Sequence, residues 1–277
     1  MAAYKHALAD WLHLHRRVFV LTGAGCSTAS GIPDYRDRDG AWKRKPPVTY
    51  QAFVGDPATR ARYWARSHAG WPMLARARPN AAHRALATLE ARGRITTLVT
   101  QNVDGLHQQA GSREVLDLHG RIDAVRCLGC DARFSREEVQ EQLGARNPEW
   151  MHAIDAAIAP DGDADLDAID TRDFVAPHCA HCGGLLKPDV VFFGENVPRL
   201  RVEAAQAALQ SADAMLVAGS SLMVYSGYRF ALRARDAGLP LAILTRGTTR
   251  ADALATLKLD ADCGESLSEA LEALGDP

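Results

Sequence analysis

Residues 18–27 read VFVLTGAGCS, an apolar run from Val18 to Leu21 that ends in the turn Gly23-Ala24-Gly25. A short unbroken apolar run bounded by glycine reads as a strand covered on both faces, which belongs in a parallel sheet. A strand that ends in Gly-x-Gly lets backbone amides approach a pyrophosphate at the N-terminus of the helix that follows. Taken alone, the turn is weak evidence, and a purely structural turn is the alternative reading. It is not a complete dinucleotide fingerprint. Thr28 stands where the third glycine belongs, and no acidic residue closes a second strand about 20 positions on, which tells against a hydride-transferring dehydrogenase.

Outward from this turn, apolar runs alternate with Ala/Arg/Leu-rich stretches. The runs predict strands at Val18 to Leu21, Ile95 to Thr100, Ala214 to Ala218 and Leu241 to Thr245. Apolar spacings of three and four predict crossover helices over His83 to Arg92 and Val202 to Gln210. The fold class is therefore α/β. A Rossmann-like parallel sheet is expected from residues 1–45, 79–120 and 188–277. Residues 46–78, rich in Arg, Trp and Pro, read as a helical insertion, and residues 121–187 as a smaller module that breaks the rhythm.

That module carries two Cys-x-x-Cys pairs, Cys127/Cys130 and Cys179/Cys182. Each x-x turn sets both sulfurs on one side of a knuckle, so the two pairs can close one tetrahedral zinc shell. Such a zinc is structural, because four thiolates leave no position open for water or substrate. A disulfide framework and a redox pair are the competing readings. Met1 to Arg17 interleaves His, Arg and Asp10 with Leu and lacks the apolar core of a secretory signal, so a reducing cytoplasm is expected. His178 and His181 flank the second pair and are expected to stay out of the shell, and Cys26 and Cys263 read as buried thiols.

The 277-residue chain has 32 basic against 34 acidic residues and a net charge of -2, which supplies no cation excess to hold a nucleic acid. No apolar run approaches the roughly 20 residues that span a bilayer.

The stretches GAGCSTASGIPDYRD, TQNVDGLH, LHG, KPDVVFFGE and GSSL follow one another in that order. This set resembles the sirtuin family from about Val18 to Cys263, and RYWAR, RNPEW, APDGD and YSGYRF are most similar to its class II branch. The resemblance implies one catalytic domain spanning the chain, an NAD-dependent protein lysine deacylase. It would consume NAD as co-substrate, act on acyl-lysine proteins, and release nicotinamide and 2'-O-acyl-ADP-ribose. By the same resemblance His119 is the catalytic base for a ribose hydroxyl. Asn102 holds the ribose and an ordered water, and Asp104 accepts from the nicotinamide carboxamide. Ala24, Ile32, Asp34 and Val103 complete that pocket. Gly23, Ala24, Gly25 and Ser27 are implied at the phosphates, Tyr35 and Arg36 on a closing loop, and Gln101 beside the ribose. Gly219, Ser220 and Ser221 are implied on the adenosine side, with Thr245 at the adenosine ribose and Arg246, Gly247 and Cys263 at the adenine region mainly through backbone.

Substrate is expected to pair as a strand along Val191, Phe192, Phe193, Gly194 and Glu195, with ordinary core packing the alternative for the two phenylalanines. Tyr63 and Arg66 are three apart on a predicted helix and share a face. That spacing resembles the pair by which desuccinylating sirtuins read a carboxylate, which points to acidic or branched acyl groups. Two departures from the family stand out. Thr245 replaces an asparagine, which predicts weaker NAD binding. The stretch from residue 131 to residue 178 is long, and part of Glu149 to Asp173 is expected to reach the acyl channel. Protein mono-ADP-ribosyl transfer is the alternative activity, and a non-catalytic NAD-sensing scaffold a further one. A monomer is expected.

Overall fold

The computed structural model describes residues 6–43, 47–152 and 170–275. In chain order the elements are α1 (Ala7–Leu14), β1 (Val18–Thr22), α2 (Tyr50–Gly55), α3 (Pro57–Arg76), α4 (Ala81–Ala91), β2 (Ile95–Thr100), α5 (Leu106–Gln109), β3 (Val115–Asp117), β4 (Gly120–Cys127) and β5 (Arg133–Ser135). They continue as α6 (Arg136–Arg146), β6 (Leu186–Val190), α7 (Arg199–Gln210), β7 (Ala214–Ala218), α8 (Tyr225–Asp236), β8 (Leu241–Leu244), β9 (Leu257–Leu259) and α9 (Cys263–Ala273).

All five residues of β1 are buried, as are all five of β7. The two strands lie side by side in a six-stranded sheet of order β3-β2-β1-β7-β8-β9, and every pairing in it is parallel. Alternation along β1 divides the core. Val18 and Val20 pack under α1, α4 and α9 with Leu12, Leu86 and Leu267, whereas Phe19 and Leu21 pack under α7 and α8 with Leu209 and Phe230. The strand order reverses between β1 and β7, and in open α/β sheets the crevice beyond such a switch point binds ligands.

The four predicted strands are present; β8 ends at Leu244, one residue before the predicted bound, and the Thr245 N–H still bonds to the Leu259 carbonyl of β9 at 3.1 Å. The edge strands β3 and β9, three residues each, are too short to show a period. Helix α4 starts ahead of its predicted position because Asn80 caps it. The Asn80 side chain accepts from the Ala82 and His83 amides, and the Asn80 amide donates to His83 Nδ1 at 3.2 Å.

A second sheet, antiparallel and ordered β5-β4-β6, forms the smaller lobe. Its core joins α2, α3 and α6 through Phe53, Trp64, Val125, Leu143 and Leu186. Arg136 is fully buried there, 4.9 Å from the Trp71 ring centre, and donates to Gln140 Oε1 and the Ser67 carbonyl. The glycine of LHG is a packing requirement. Gly120 has φ +83°, and a Cβ on it would fall 1.9 Å from the Asp189 carbonyl oxygen of β6. Among the described residues, no helix is long and apolar enough to cross a membrane.

Candidate functional site

Beyond the carboxyl ends of β1, β2 and β7, next to the smaller lobe, lies a cavity of about 380 Å³. The two glycine turns that floor it touch backbone to backbone. A Cβ on Gly23 would lie 2.8 Å from Ser220 Cβ, and one on Gly219, where φ is +66°, would lie 2.3 Å from the Cys26 nitrogen. The Gly23 and Gly25 amides already donate to the Ala218 and Gly219 carbonyls, at 3.2 and 2.8 Å. These glycines therefore shape the cavity by close approach, with their N–H groups engaged in joining β1 to β7.

Ser27, Asn102 and Asp104 form one hydrogen-bonded unit. Ser27 Oγ donates to Asp104 Oδ2 at 2.6 Å and accepts from Asn102 Nδ2 at 3.0 Å, while Asp104 Oδ1 accepts the Leu106 amide at 2.9 Å. Asn102 Nδ2 also donates to the Gly23 carbonyl, which ties β2 to the glycine turn. Behind this unit lie His83 and His107, both buried, with ring centres 4.7 Å apart. His83 Nδ1 accepts the Asn80 amide, so its Nε2 carries the proton and faces Ser27 Oγ at 3.4 Å. His107 Nε2 bonds Thr22 Oγ1 at 2.9 Å, and Thr22 donates to Thr100. Burial holds His83 down to about 4 against the pull of the Asp104 charge, and holds His107 well below the ordinary imidazole range. Both are neutral at pH 7.

His119 lines the same cavity from the loop entering β4. Its Nδ1 lies 3.0 Å from the Gln101 carbonyl and its Nε2 lies 2.8 Å from Ser226 Oγ. A carbonyl only accepts, so Nδ1 bears the hydrogen and Nε2 keeps its lone pair. Burial pushes the imidazole down to about 4, the Gln101 bond opposes this, and the cations of Arg201 and Arg229 add to it. Gln101 is itself held by Ser220 Oγ, which donates to Oε1 at 2.6 Å, and Gly227 leaves room for that side chain, since a Cβ there would fall 2.7 Å from Nε2.

Of the remaining predicted residues, Ile32, Asp34, Tyr35, Arg36, Val103, Ser221, Thr245 and Arg246 also line the cavity. On the loop, Asp34 pairs with Lys43, and Arg36 stacks 4.0 Å from the Trp42 ring centre and donates to the Gly40 carbonyl. Gly247 is outside the lining. Its φ of +81° and a would-be Cβ 2.3 Å from the Arg38 oxygen show that it lets this loop dock. Cys263 is also outside. It is 6% exposed in the core under the sheet, and burial pushes its thiol up to about 12.

Val191 to Glu195 line the cavity as a turn instead of an exposed strand edge. The Val191 amide is taken by the His119 carbonyl and the Phe193 carbonyl by the Tyr50 amide, both at 2.8 Å. Glu195 Oε2 accepts the Phe192 amide at 2.9 Å and the ammonium of Lys187 at 3.0 Å, and that ammonium also bonds the Val190 carbonyl. Lys187 is 1% exposed, so this pair is a buried clamp that folds the turn. Phe192 packs on Phe53 and Tyr63. Tyr63 belongs to the lining and Arg66 does not, so the structure does not bring the two to the cavity together. Much of the stretch expected to reach the acyl channel, residues 153–169, lies outside the described residues.

The four cysteines of the smaller lobe converge. Cys127 and Cys182 sulfurs are 3.5 Å apart, those of Cys130 and Cys179 3.7 Å, and all four lie within 4.8 Å of one another. A tetrahedral zinc at its usual sulfur distance sets thiolates about 3.8 Å apart, whereas a disulfide needs about 2.05 Å. The Gly129 and Gly184 amides donate to Cys127 and Cys182 sulfur, as expected of thiolate knuckles. His181 instead turns its ring edge to Phe134, and neither it nor His178 joins the sulfur group. The donor set fits zinc.

Sequence reasoning missed Thr22, His83, Lys187, Ser226 and Arg229. Asn80-x-x-His83 was the one available signal, because a cap and its third residue can be read from spacing. The others matter only through partners far away in the chain.

A model of the Sir2 family matches residues 23–226. An NAD-dependent protein deacetylase of Xanthomonas axonopodis pv. citri is 62% identical over 95% of this chain and 89% of its own. One from Bordetella bronchiseptica is 61% identical over 95% of this chain and 96% of its own. Among solved structures, Sir2 with a p53 peptide and NAD+ superposes with TM-score 0.77 at 33% identity, covering 97% of each chain. Sir2 bound to an acetylated peptide superposes with TM-score 0.76 at 32% identity and the same coverage.

Proposed function

This chain belongs to the Sir2 family, and from that premise we infer that its cavity removes acyl groups from protein lysines at the expense of NAD. When bound, NAD supplies a sugar carbon that nicotinamide can leave and the acyl oxygen can take. The residues of the chain do the rest. Asp104, oriented by Ser27 and the Leu106 amide, presents a carboxylate to the carboxamide of nicotinamide. Asn102, tied to the Gly23 carbonyl, stands beside the ribose. His119 receives a proton at Nε2, the nitrogen left unprotonated by the Gln101 carbonyl, and this fixed tautomer is the observation that carries the reading. The clamp of Lys187 and Glu195 presents the turn over which an acyl-lysine peptide lies. Zinc in the four-cysteine knuckle is structural and touches no step.

The finer placement belongs to the same proposal: a class II sirtuin, a cytoplasmic monomer with no nucleic-acid partner, in a reducing compartment that preserves four thiolates. The test is incubation of the purified protein with NAD and acetyl-, glutaryl- and lipoyl-lysine peptides, followed by mass spectrometry. Formation of acyl-ADP-ribose is the expected result. ADP-ribose left on protein with no deacylated peptide would move the assignment to mono-ADP-ribosyl transfer.

Thr245 lines the cavity with a single hydroxyl where the family has an amide. Thr245→Asn is expected to tighten NAD binding about 2- to 10-fold, the worth of one added hydrogen bond. An unchanged dissociation constant by calorimetry would remove Thr245 from the adenosine site.

A further inference from the structure

The base nitrogen of His119 does not face the cavity alone. Ser226, in the first turn of α8, places Oγ 2.8 Å from His119 Nε2 and itself lines the cavity. Because the Gln101 carbonyl fixes the hydrogen on Nδ1, the Ser226 hydroxyl is the donor and Nε2 the acceptor. The donor direction of Oγ is thereby fixed, and among the described residues no donor occupies its lone pairs. Ser226 is 8% exposed and Gly227 follows it, so the hydroxyl sits where α8 meets the cavity wall.

We propose that Ser226 is a catalytic residue of this chain, a one-hydroxyl proton relay between the sugar hydroxyl of the co-substrate and His119 Nε2. The inference rests on the deacylase reading above. In the relay, Ser226 Oγ takes the proton of the sugar hydroxyl as its own proton passes to Nε2. The O–H bond of the sugar breaks, its electron pair stays on the sugar oxygen for attack at the acyl carbon, serine ends neutral and His119 ends as imidazolium. No other reactant is consumed. The arrangement also accounts for how a base depressed by burial and by the charges of Arg201 and Arg229 is kept neutral until it is used, because a donor on the lone pair stabilises the unprotonated ring. The groups on His119 are then the Gln101 carbonyl, Ser226, Arg201 and Arg229.

Two readouts test this with Ser226→Ala and the hydroxyl-preserving Ser226→Thr. The first uses the protein without NAD and follows the His119 ring nitrogens by 15N NMR. Ser226→Ala is expected to move the Nε2 resonance and raise the apparent pKa of His119, and Ser226→Thr to restore both. Identical spectra in wild type and Ser226→Ala would overturn the proposal. The second is a single turnover with an acyl-lysine peptide. Nicotinamide release should precede a formation of acyl-ADP-ribose that is about 10- to 100-fold slower in Ser226→Ala, a loss in the lower range of general-base contributions. A proton inventory in mixed D2O should curve in wild type, with two protons in flight, and be linear in Ser226→Ala. Acyl-ADP-ribose formed by Ser226→Ala at the wild-type rate would mean that the sugar hydroxyl reaches Nε2 directly, and would end the relay. Failure of wild type to release nicotinamide with any acyl peptide would instead fault the deacylase reading.

Discussion

His119→Ala is expected to lower acyl-ADP-ribose formation by about 10² to 10⁴-fold, the range for removal of a positioned general base. The protein should stay folded with NAD affinity retained, since among the described residues the His119 side chain hydrogen-bonds to the Gln101 carbonyl and to Ser226 and lies outside the unit of Ser27, Asn102 and Asp104, while its backbone carbonyl, which accepts the Val191 amide, is kept in the variant. Mass spectrometry of the product and calorimetry of NAD binding check the two halves, and full turnover by the variant would refute the assignment. The pH profile carries a signature of its own. A free imidazole titrates near 6.5, but burial holds His119 down to about 4, so the acid limb of kcat/KM should lie well below pH 6. Stability runs the same way. Between the two values the unfolded chain binds a proton that the folded chain refuses, so stability is full above pH 6.5 and is lost as pH falls toward 4. His83, also held near 4, acts in the same window. A melting temperature that did not fall from pH 7 to pH 5 would contradict the buried neutral histidines.

Cys127→Ala is expected to cost both metal and activity, although no cysteine of the knuckle lines the cavity. The path is continuous. Cys127 ends β4, whose first residue follows His119, and Cys182 ends the knuckle from which β6 leads to the turn of Val191 to Glu195. Loosening the knuckle therefore frees two walls of the cavity at once. Structural zinc contributes on the order of 10 kcal/mol in isolated fingers, and even part of that lowers the melting temperature by roughly 10 °C or more for a chain of this size. Metal analysis should give one zinc per wild-type chain and none for the variant, alongside poor solubility and lost turnover. A soluble, metal-free, fully active Cys127→Ala would show that the lobe stands without zinc.

The parts of this protein legible in its sequence are those governed by neighbours in the chain. Apolar and β-branched runs placed β1, β2, β7 and β8, because strands covered on both faces are built largely from such residues. The paired cysteine spacing pointed to one metal shell, and the sulfurs do meet. The segment Val191 to Glu195, expected as an exposed edge, forms a turn lining the cavity, because local pattern is blind to a buried charge pair. Lys187 and Glu195, eight residues apart, hold that segment in a turn through the Phe192 amide, while His119 and Tyr50 take the Val191 amide and the Phe193 carbonyl. Tyr63 and Arg66 share a face by spacing, yet only Tyr63 reaches the cavity, since depth within a packed lobe is set by what lies against the helix.

By itself, then, the sequence determined a doubly covered parallel sheet, a glycine turn at its centre, a four-thiolate knuckle and the order of the motifs between them. Tertiary structure alone decided that β7 lies beside β1, so that Gly219 closes on Cys26 and Ser226 meets His119 across the cavity. It also decided protonation, because the tautomer of His119 and the neutrality of His83 follow from a carbonyl, an amide and the loss of water around them. Those are properties of contacts between distant segments, and local pattern carries no record of them.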